Sequence, residues 1–267
     1  MRNIGMVLEY VGTAYHGFQI QENAPTIQGT LEGALEQVTG SPVRVVGAGR
    51  TDAGVHALGQ VVSFSTESCI PGDRFAPALN SLLPRDIRVL RSFEAPTGWN
   101  ARYGAISKVY RYLTVPRGAA RPSLAAGAGV LEGRANLEYR DLDVGSMREA
   151  GQALLGTHDF AAFCASGSSV RTTVRTVKRL DVREERWDAL GVNLVVIEVE
   201  ADGFLYNMVR IIAASLIEVG AGASDLDTPA KLLESQDRTL GPPTAPPSGL
   251  YLARVFYPGP LAGLTCP

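Results

Sequence analysis

Residues 43–65 read VRVVGAGRTDAGVHALGQVVSFS. Two runs rich in β-branched residues, 43–48 and 58–65, have the composition of strands. Between them lies GRTDAGVHA, which cannot be regular. Gly47, Gly49 and Gly54 put three glycines in eight positions, permitting backbone shapes that a Cβ resists and close approach of a ligand. The G-A-G triplet after a strand invites comparison with a dinucleotide-binding turn. That motif needs glycine at 52, where Asp stands, and a helix afterwards to face a pyrophosphate, where a second strand follows. Strand, glycine-rich loop and strand in succession point away from a doubly wound sheet.

Reading outward gives the rest of the architecture. Residues 4–11 form a strand. A helix spans 26–39, with Ile27, Leu31, Leu35 and Val38 on one face and Thr26 as N-cap. A short helix near 73–83 and a strand at 86–93 follow. A second block opens near 107 with the strand KVYRYLTV. The segment 116–137, rich in Gly, Ala, Pro and Arg, reads as a mobile surface loop. Helix 143–155, strands 171–184 and 191–200, an apolar helix 204–219, a helix near 228–236, a Pro-rich turn at 242–247 and a last strand 249–256 complete the chain. Strands and helices mix without strict alternation, which implies an α+β fold of two mixed, mainly antiparallel-sheet domains, 1–105 and 106–267.

Composition sets the class. The 267 residues are 45% hydrophobic and 19% charged, ordinary for a folded soluble protein, and the net charge of -2 gives no sign of a polyanionic partner. Its distribution is uneven. No acid lies between Glu94 and Glu132, a window holding Arg102, Lys108, Arg111, Arg117 and Arg121. None lies between Asp159 and Asp181, a window holding Arg171, Arg175, Lys178 and Arg179. Such windows suit phosphate, but also ordinary solvated faces. Cys69, Cys164 and Cys266 are widely separated and odd in number, unlike a disulfide framework or zinc site, which fits a reducing cytoplasm. The three histidines lack metal-ligand spacing, Met1 runs into a strand without a signal-like segment, and no apolar run approaches a membrane span.

Asp52, beside Arg50 on the glycine-rich loop, is the natural site candidate. It reads as half of an aspartic dyad, for which Asp202-Gly203 is a poor second copy, as a lone nucleophile or acid/base group, or as a turn residue capping backbone amides. Arg210 is odd in another way. It stands between Val209 and Ile211 in a helix apolar nearly all round, where a guanidinium needs an anion or must snorkel to solvent.

GAGRTDAGVHA followed by GQVVSF resembles the signature of the tRNA pseudouridine synthase A family. The resemblance runs through most of the chain. Tyr15-His16-Gly17-Phe18-Gln19 with Gln21, Thr26 and Gln28 is similar to its N-terminal segment, with Phe18 where Trp is usual. Leu79-Asn80 with Leu83-Pro84 and Asp86-Ile87 matches, and Asn100-Ala101-Arg102 resembles a His-Ala-Arg segment, departing at 100. Tyr110-Arg111-Tyr112, His158-Asp159-Phe160 with Phe163, Arg175-Thr176, the run Gly203 to Arg210, Gly249-Leu250 with Leu252, and Tyr257-Pro258 also match.

The resemblance implies two domains with helices on one sheet face and an RNA cleft between them. It implies isomerisation of uridine to pseudouridine at tRNA positions 38, 39 and 40, with no cofactor and no metal, by a homodimer. Asp52 would be the catalytic carboxylate, Arg210 the cation that keeps it ionised, and Tyr110 the aromatic platform under the flipped base. Period two puts Tyr112 on the same strand face as Tyr110, so only the family pattern selects 110. Phe204 and Leu205 would wall the pocket. Arg50, Gln19, Gln21, His56, Arg102, Arg111, Arg171 and Arg175 become expected RNA contacts, although His56, Gln19 and Gln21 suit local structural hydrogen bonds equally. The competing reading is a tRNA-binding or folding module without catalysis, against which intact Asp52, Tyr110 and Arg210 stand.

Overall fold

The computed structural model describes residues 1–116, 129, 131–167, 170–188 and 191–264. The chain groups into two compact units. One is Met1–Lys108 with the chain from Tyr251 onward; the other is Val109–Leu250. This differs from a simple division at 105/106 because the last strand pairs with the strand that follows the glycine-rich loop, Tyr251 opposite His56.

In the first unit, β1 (Arg2–Tyr10), β2 (Val46–Gly47), β3 (His56–Thr66) and β4 (Ile87–Ala95) accompany helices α1 (Ile27–Thr39) and α2 (Phe75–Asn80). Strand β1 is central. It pairs antiparallel with β3, Met6 opposite Val62, and with β4, Met6 opposite Ser92. Ile4, Met6, Val7 and Leu8 are buried, as a strand covered on both faces requires. Helix α1 buries Ile27, Leu31 and Leu35 along one face. Thr26 caps it, its side chain accepting from Gly29 N, and Gly40 closes it in the left-handed region at φ 72.

The expected strand 43–48 shortens to Val46–Gly47. Helix side chains take the backbone of Val45 instead. Its N–H donates to Glu32 Oε1 at 2.9 Å, and its carbonyl accepts from Gln28 Nε2 at 3.1 Å. With both groups satisfied, the segment has no call for a strand partner.

The second unit is ordered β5 (Ser107–Val115), β9 (Val192–Ala201), β8 (Val174–Trp187) and β7 (Gly156–Asp159), with the two-residue β6 (Asn136–Leu137) beside β5. Strands β8 and β9 pair antiparallel, Val182 opposite Ile197. Helices α3 (Val144–Gly151), α4 (Met208–Gly220) and α5 (Thr228–Ser235) belong to this unit. Helix α3 lies close against both α4 and β8, Met147 fitting beside Gly220 and Leu180 beside Gly151. In α4 every residue is buried except the half-buried Arg210 and Glu218.

The result is α+β, as expected. Two expectations shift. The apolar helix begins at Met208 rather than 204, because Asn207 takes a left-handed backbone at φ 60 and breaks the helical path. The expected surface loop 116–137 lies largely outside the described residues, as do Arg117, Arg121 and Cys266. Its described end is not surface throughout: Leu131 and Ala135 pack with Val115, Val192, Leu194 and Val196. Cys69 and Cys164 are free. Among the described residues no helix is long and apolar enough to cross a membrane.

Replacing Thr26 by Ala removes the α1 cap. The expected cost is about 1 kcal/mol, read as a lower denaturant midpoint with an unchanged slope.

Candidate active site

Asp52 sits half-buried on the loop between β2 and β3, and three sets of contacts hold that loop. The turn itself closes with Val55 N–H on Asp52 O at 3.1 Å, Gly54 taking φ 76 within it. The N-terminal motif supplies the second set: Phe18 N–H donates to Thr51 O at 2.9 Å, and Gly54 N–H to Tyr15 O at 3.3 Å. The Phe18 ring fills the space that a Cβ on Gly47 would take.

The third set comes from fully buried side chains behind the loop. Gln60, on β3, donates from Nε2 to Gly49 O at 2.7 Å and accepts at Oε1 from Gly49 N–H at 3.4 Å. Tyr10, the last residue of β1, is hydrogen-bonded to Thr51 Oγ1 at 2.8 Å and accepts from Gln60 Nε2 at 3.5 Å. Burial pushes the Tyr10 hydroxyl up to about 12, so it stays protonated. The residues flanking Asp52 are thus fixed from inside the core. Sequence reading missed both side chains, although a glutamine in the apolar run GQVVSF was a signal that a buried amide needed partners.

In the second unit, Tyr110 and Tyr112 separate clearly. Tyr112 is fully buried, and its hydroxyl donates to Pro246 O at 2.9 Å. Desolvation raises its pKa well above the usual tyrosine value despite the Arg210 charge nearby. It is a structural residue. Tyr110 meets the half-buried Phe204 edge to face, centroids 4.9 Å apart at 79°. Leu205 is buried beside the start of α4. Arg210 donates from Nε to Ala245 O and from Nη1 to Asn207 Oδ1, both at 2.7 Å.

Comparison with known proteins decides the family. A model described as tRNA pseudouridine synthase matches residues 6–104 and 150–258. The tRNA pseudouridine synthase A of Acetivibrio thermocellus is 48% identical over 257 residues, 96% of this chain and 100% of that protein. That of Syntrophomonas wolfei is 45% identical over 258 residues, covering 97% and 98% of the two chains. The chain belongs to the tRNA pseudouridine synthase A family.

For this family member the remaining expected residues fall into distinct positions. Arg50 on the glycine-rich loop and Gln19 and Gln21 in the N-terminal motif are exposed, Gln21 donating to His16 O at 3.0 Å. Arg171 is exposed, and Arg175 is held to Thr172 O at 2.9 Å and Val174 O at 2.6 Å, with its stem over Gly203. Arg102 is exposed and lies over the Tyr103 ring, 5.7 Å from its centroid. Asn100 supports that turn: its Oδ1 accepts from Arg102 N–H at 2.9 Å and Tyr103 N–H at 3.2 Å, a turn-forming use of the residue that departs from the family pattern.

Two residues expected to contact RNA are engaged within the protein. His56 has no exposed surface; its ring stacks on Tyr251 at 4.6 Å and its Nδ1 accepts from Gly12 N–H at 3.0 Å. A ring buried in this way is engaged in tertiary structure. Arg111 follows Tyr110 on the same strand and so faces the opposite side of the sheet. There it donates to Glu198 Oε2 at 2.5 Å. Burial would raise the Glu198 carboxyl, but the Arg111 bond and the charges of Arg111, Arg179 and Arg183 win and hold it below the usual range.

Tyr10→Phe removes a buried hydroxyl and leaves Thr51 Oγ1 without that partner. The expected loss is about 1 kcal/mol of unfolding free energy. It is read by denaturant titration, alongside faster amide exchange at Thr51 and Asp52.

Proposed function

We propose that the chain isomerises uridine to pseudouridine in the anticodon arm of tRNA, at positions 38, 39 and 40, with Asp52 as the catalytic nucleophile or base. Family membership makes it a tRNA pseudouridine synthase, an isomerase. The observation that supports the assignment of Asp52 is its half-buried position on a loop whose flanking residues are tied to buried side chains. Such anchoring gives a reacting group the fixed orientation that catalysis needs.

The reaction breaks the N1–C1′ bond of a uridine, turns the base and rejoins it through C5, from which a proton then leaves. Atoms and electrons balance within the nucleotide, so the proposal includes no cofactor and no metal. Asp52 acts on the base or the ribose. Arg210 is the cation that keeps it ionised, since a neighbouring guanidinium favours the charged carboxylate. Tyr110 is the platform for the extruded base, with Phe204 and Leu205 as apolar walls. Arg50, Gln19, Gln21, Arg102, Arg171 and Arg175 contact the RNA, chiefly its phosphates. The working form is a homodimer in the cytoplasm, where tRNA is modified.

The test separates chemistry from binding. Asp52→Asn is expected to abolish pseudouridine formation in an anticodon-arm transcript, scored with a pseudouridine-specific adduct. Its tRNA affinity should stay within about twofold of the wild type. Surviving turnover would remove Asp52 from the mechanism. Transcripts carrying a single uridine at 38, 39 or 40 then test the target positions.

A further inference from the structure

Helix α4 starts with an N-cap residue that does not cap. An asparagine in this position ordinarily turns its side-chain oxygen onto the first helix amides. Asn207 makes no such bond, and its backbone is left-handed at φ 60. Its Oδ1 accepts instead from Arg210 Nη1 at 2.7 Å, three residues along the chain. Arg210 breaks a local rule as well. A cation in the first turn of a helix meets the positive end of the helix dipole. Two uncharged oxygens offset this at the guanidinium, Asn207 Oδ1 and the Ala245 carbonyl, each at 2.7 Å.

The second oxygen is itself well held. Ala245 N–H donates back to Arg210 O at 3.4 Å, so the two residues bracket each other. Ala245 lies in the run Gly241-Pro242-Pro243-Thr244-Ala245-Pro246-Pro247, whose prolines fix φ. The Pro246 carbonyl accepts from the buried Tyr112 hydroxyl at 2.9 Å. A guanidinium carries five N–H donors in one plane. Bonds to Nε and Nη1 from two separate chain segments set that plane, and with it the direction in which the other donors point.

We propose that Asn207 is a positioning residue that, with the Ala245 carbonyl, orients the Arg210 guanidinium for the catalytic carboxylate. This rests on the reading of Arg210 as the cation that keeps Asp52 ionised. It accounts for a left-handed asparagine whose side chain neither caps its helix nor turns to solvent, and it gives the Pro-rich run a task in the chemistry.

The test uses the full chain with Asn207→Gly, Asn207→Asp and Arg210→Ala. Glycine suits φ 60 and removes only the amide, so its melting temperature should match the wild type. With KM for the tRNA transcript unchanged, kcat should fall on the order of tenfold to a hundredfold, the loss expected of a misplaced catalytic group. The acid limb of the kcat profile should move to higher pH, because a poorly aimed guanidinium favours the carboxylate less. Asn207→Asp keeps the acceptor oxygen and should recover most of the rate. Wild-type kcat and pH profile in Asn207→Gly would overturn the proposal. So would a loss that tracks a falling melting temperature and is not recovered by Asp. Full turnover in Arg210→Ala would instead overturn the underlying reading of Arg210. An inactive Arg210→Ala beside a fully active Asn207→Gly removes Asn207 alone.

Discussion

The Gln60 side chain stands in for a strand partner. Its amide gives and takes a hydrogen bond with the backbone of Gly49, which a neighbouring strand would otherwise do. A glycine-rich loop has much conformational freedom to lose, and a carboxylate carried on it is useful only if that freedom is removed before substrate arrives. Gln60 removes it on the side facing β3, Tyr10 on the side facing β1, and the Tyr15–Phe18 segment on a third. The cost of burying an amide and a phenol in the sheet is recovered only because each finds partners in the loop. Core and loop therefore specify one another, and the polar residues of the apolar strands explain the placement of Asp52 better than the loop's own sequence does.

The second unit solves a related problem with different parts. A cation must be kept in a helix whose other first-turn residues are buried and whose dipole disfavours it. The Ala245 carbonyl and the Asn207 amide oxygen take part in this, each accepting from the guanidinium. Asn207 and Ala245 meet that requirement, while Tyr112, which the sequence could not distinguish from Tyr110, serves by fixing the Pro-rich run. Both tyrosines are buried; what separates them is that the Tyr112 hydroxyl is committed to the Pro246 carbonyl while the Tyr110 ring meets Phe204 edge to face.

The α+β class, most element positions and the candidate loop were legible because long, periodic segments carry their own signal. Strand β1 and helix α1 are read directly from apolar spacing. Shorter elements were not. β6 and β7 have two and four residues, too few for a pattern, and exist because longer strands offer edges. The lost half of strand 43–48 depended on Gln28 and Glu32 reaching across from α1, a tertiary contact with no trace in local sequence. The early start given to the apolar helix had a similar cause. Phe204 and Leu205 continue its hydrophobic run, and only the left-handed Asn207 shows where helix begins. Roles for Asp52, Tyr110 and Arg210 came from resemblance to the family, not from spacing.

Basic windows in a sequence say less about RNA than they suggest, and Arg111 shows why. It lies in a stretch of chain without acids, yet Glu198, far away in sequence, meets it from the neighbouring strand. Register does the rest. Glu198 stands opposite Asp181 on β8, which places Arg179 and Arg183 at the diagonals, and both reach its carboxylate. Arg183 also pairs with Asp181 and Glu185. The sheet thus gathers three arginines and three acids into a patch whose charges balance, although the linear window contained only cations. A phosphate would have to compete there with carboxylates already in place. Arg102 and Arg171, by contrast, are exposed and form no ion pair among the described residues, so the same kind of window holds both committed and uncommitted cations.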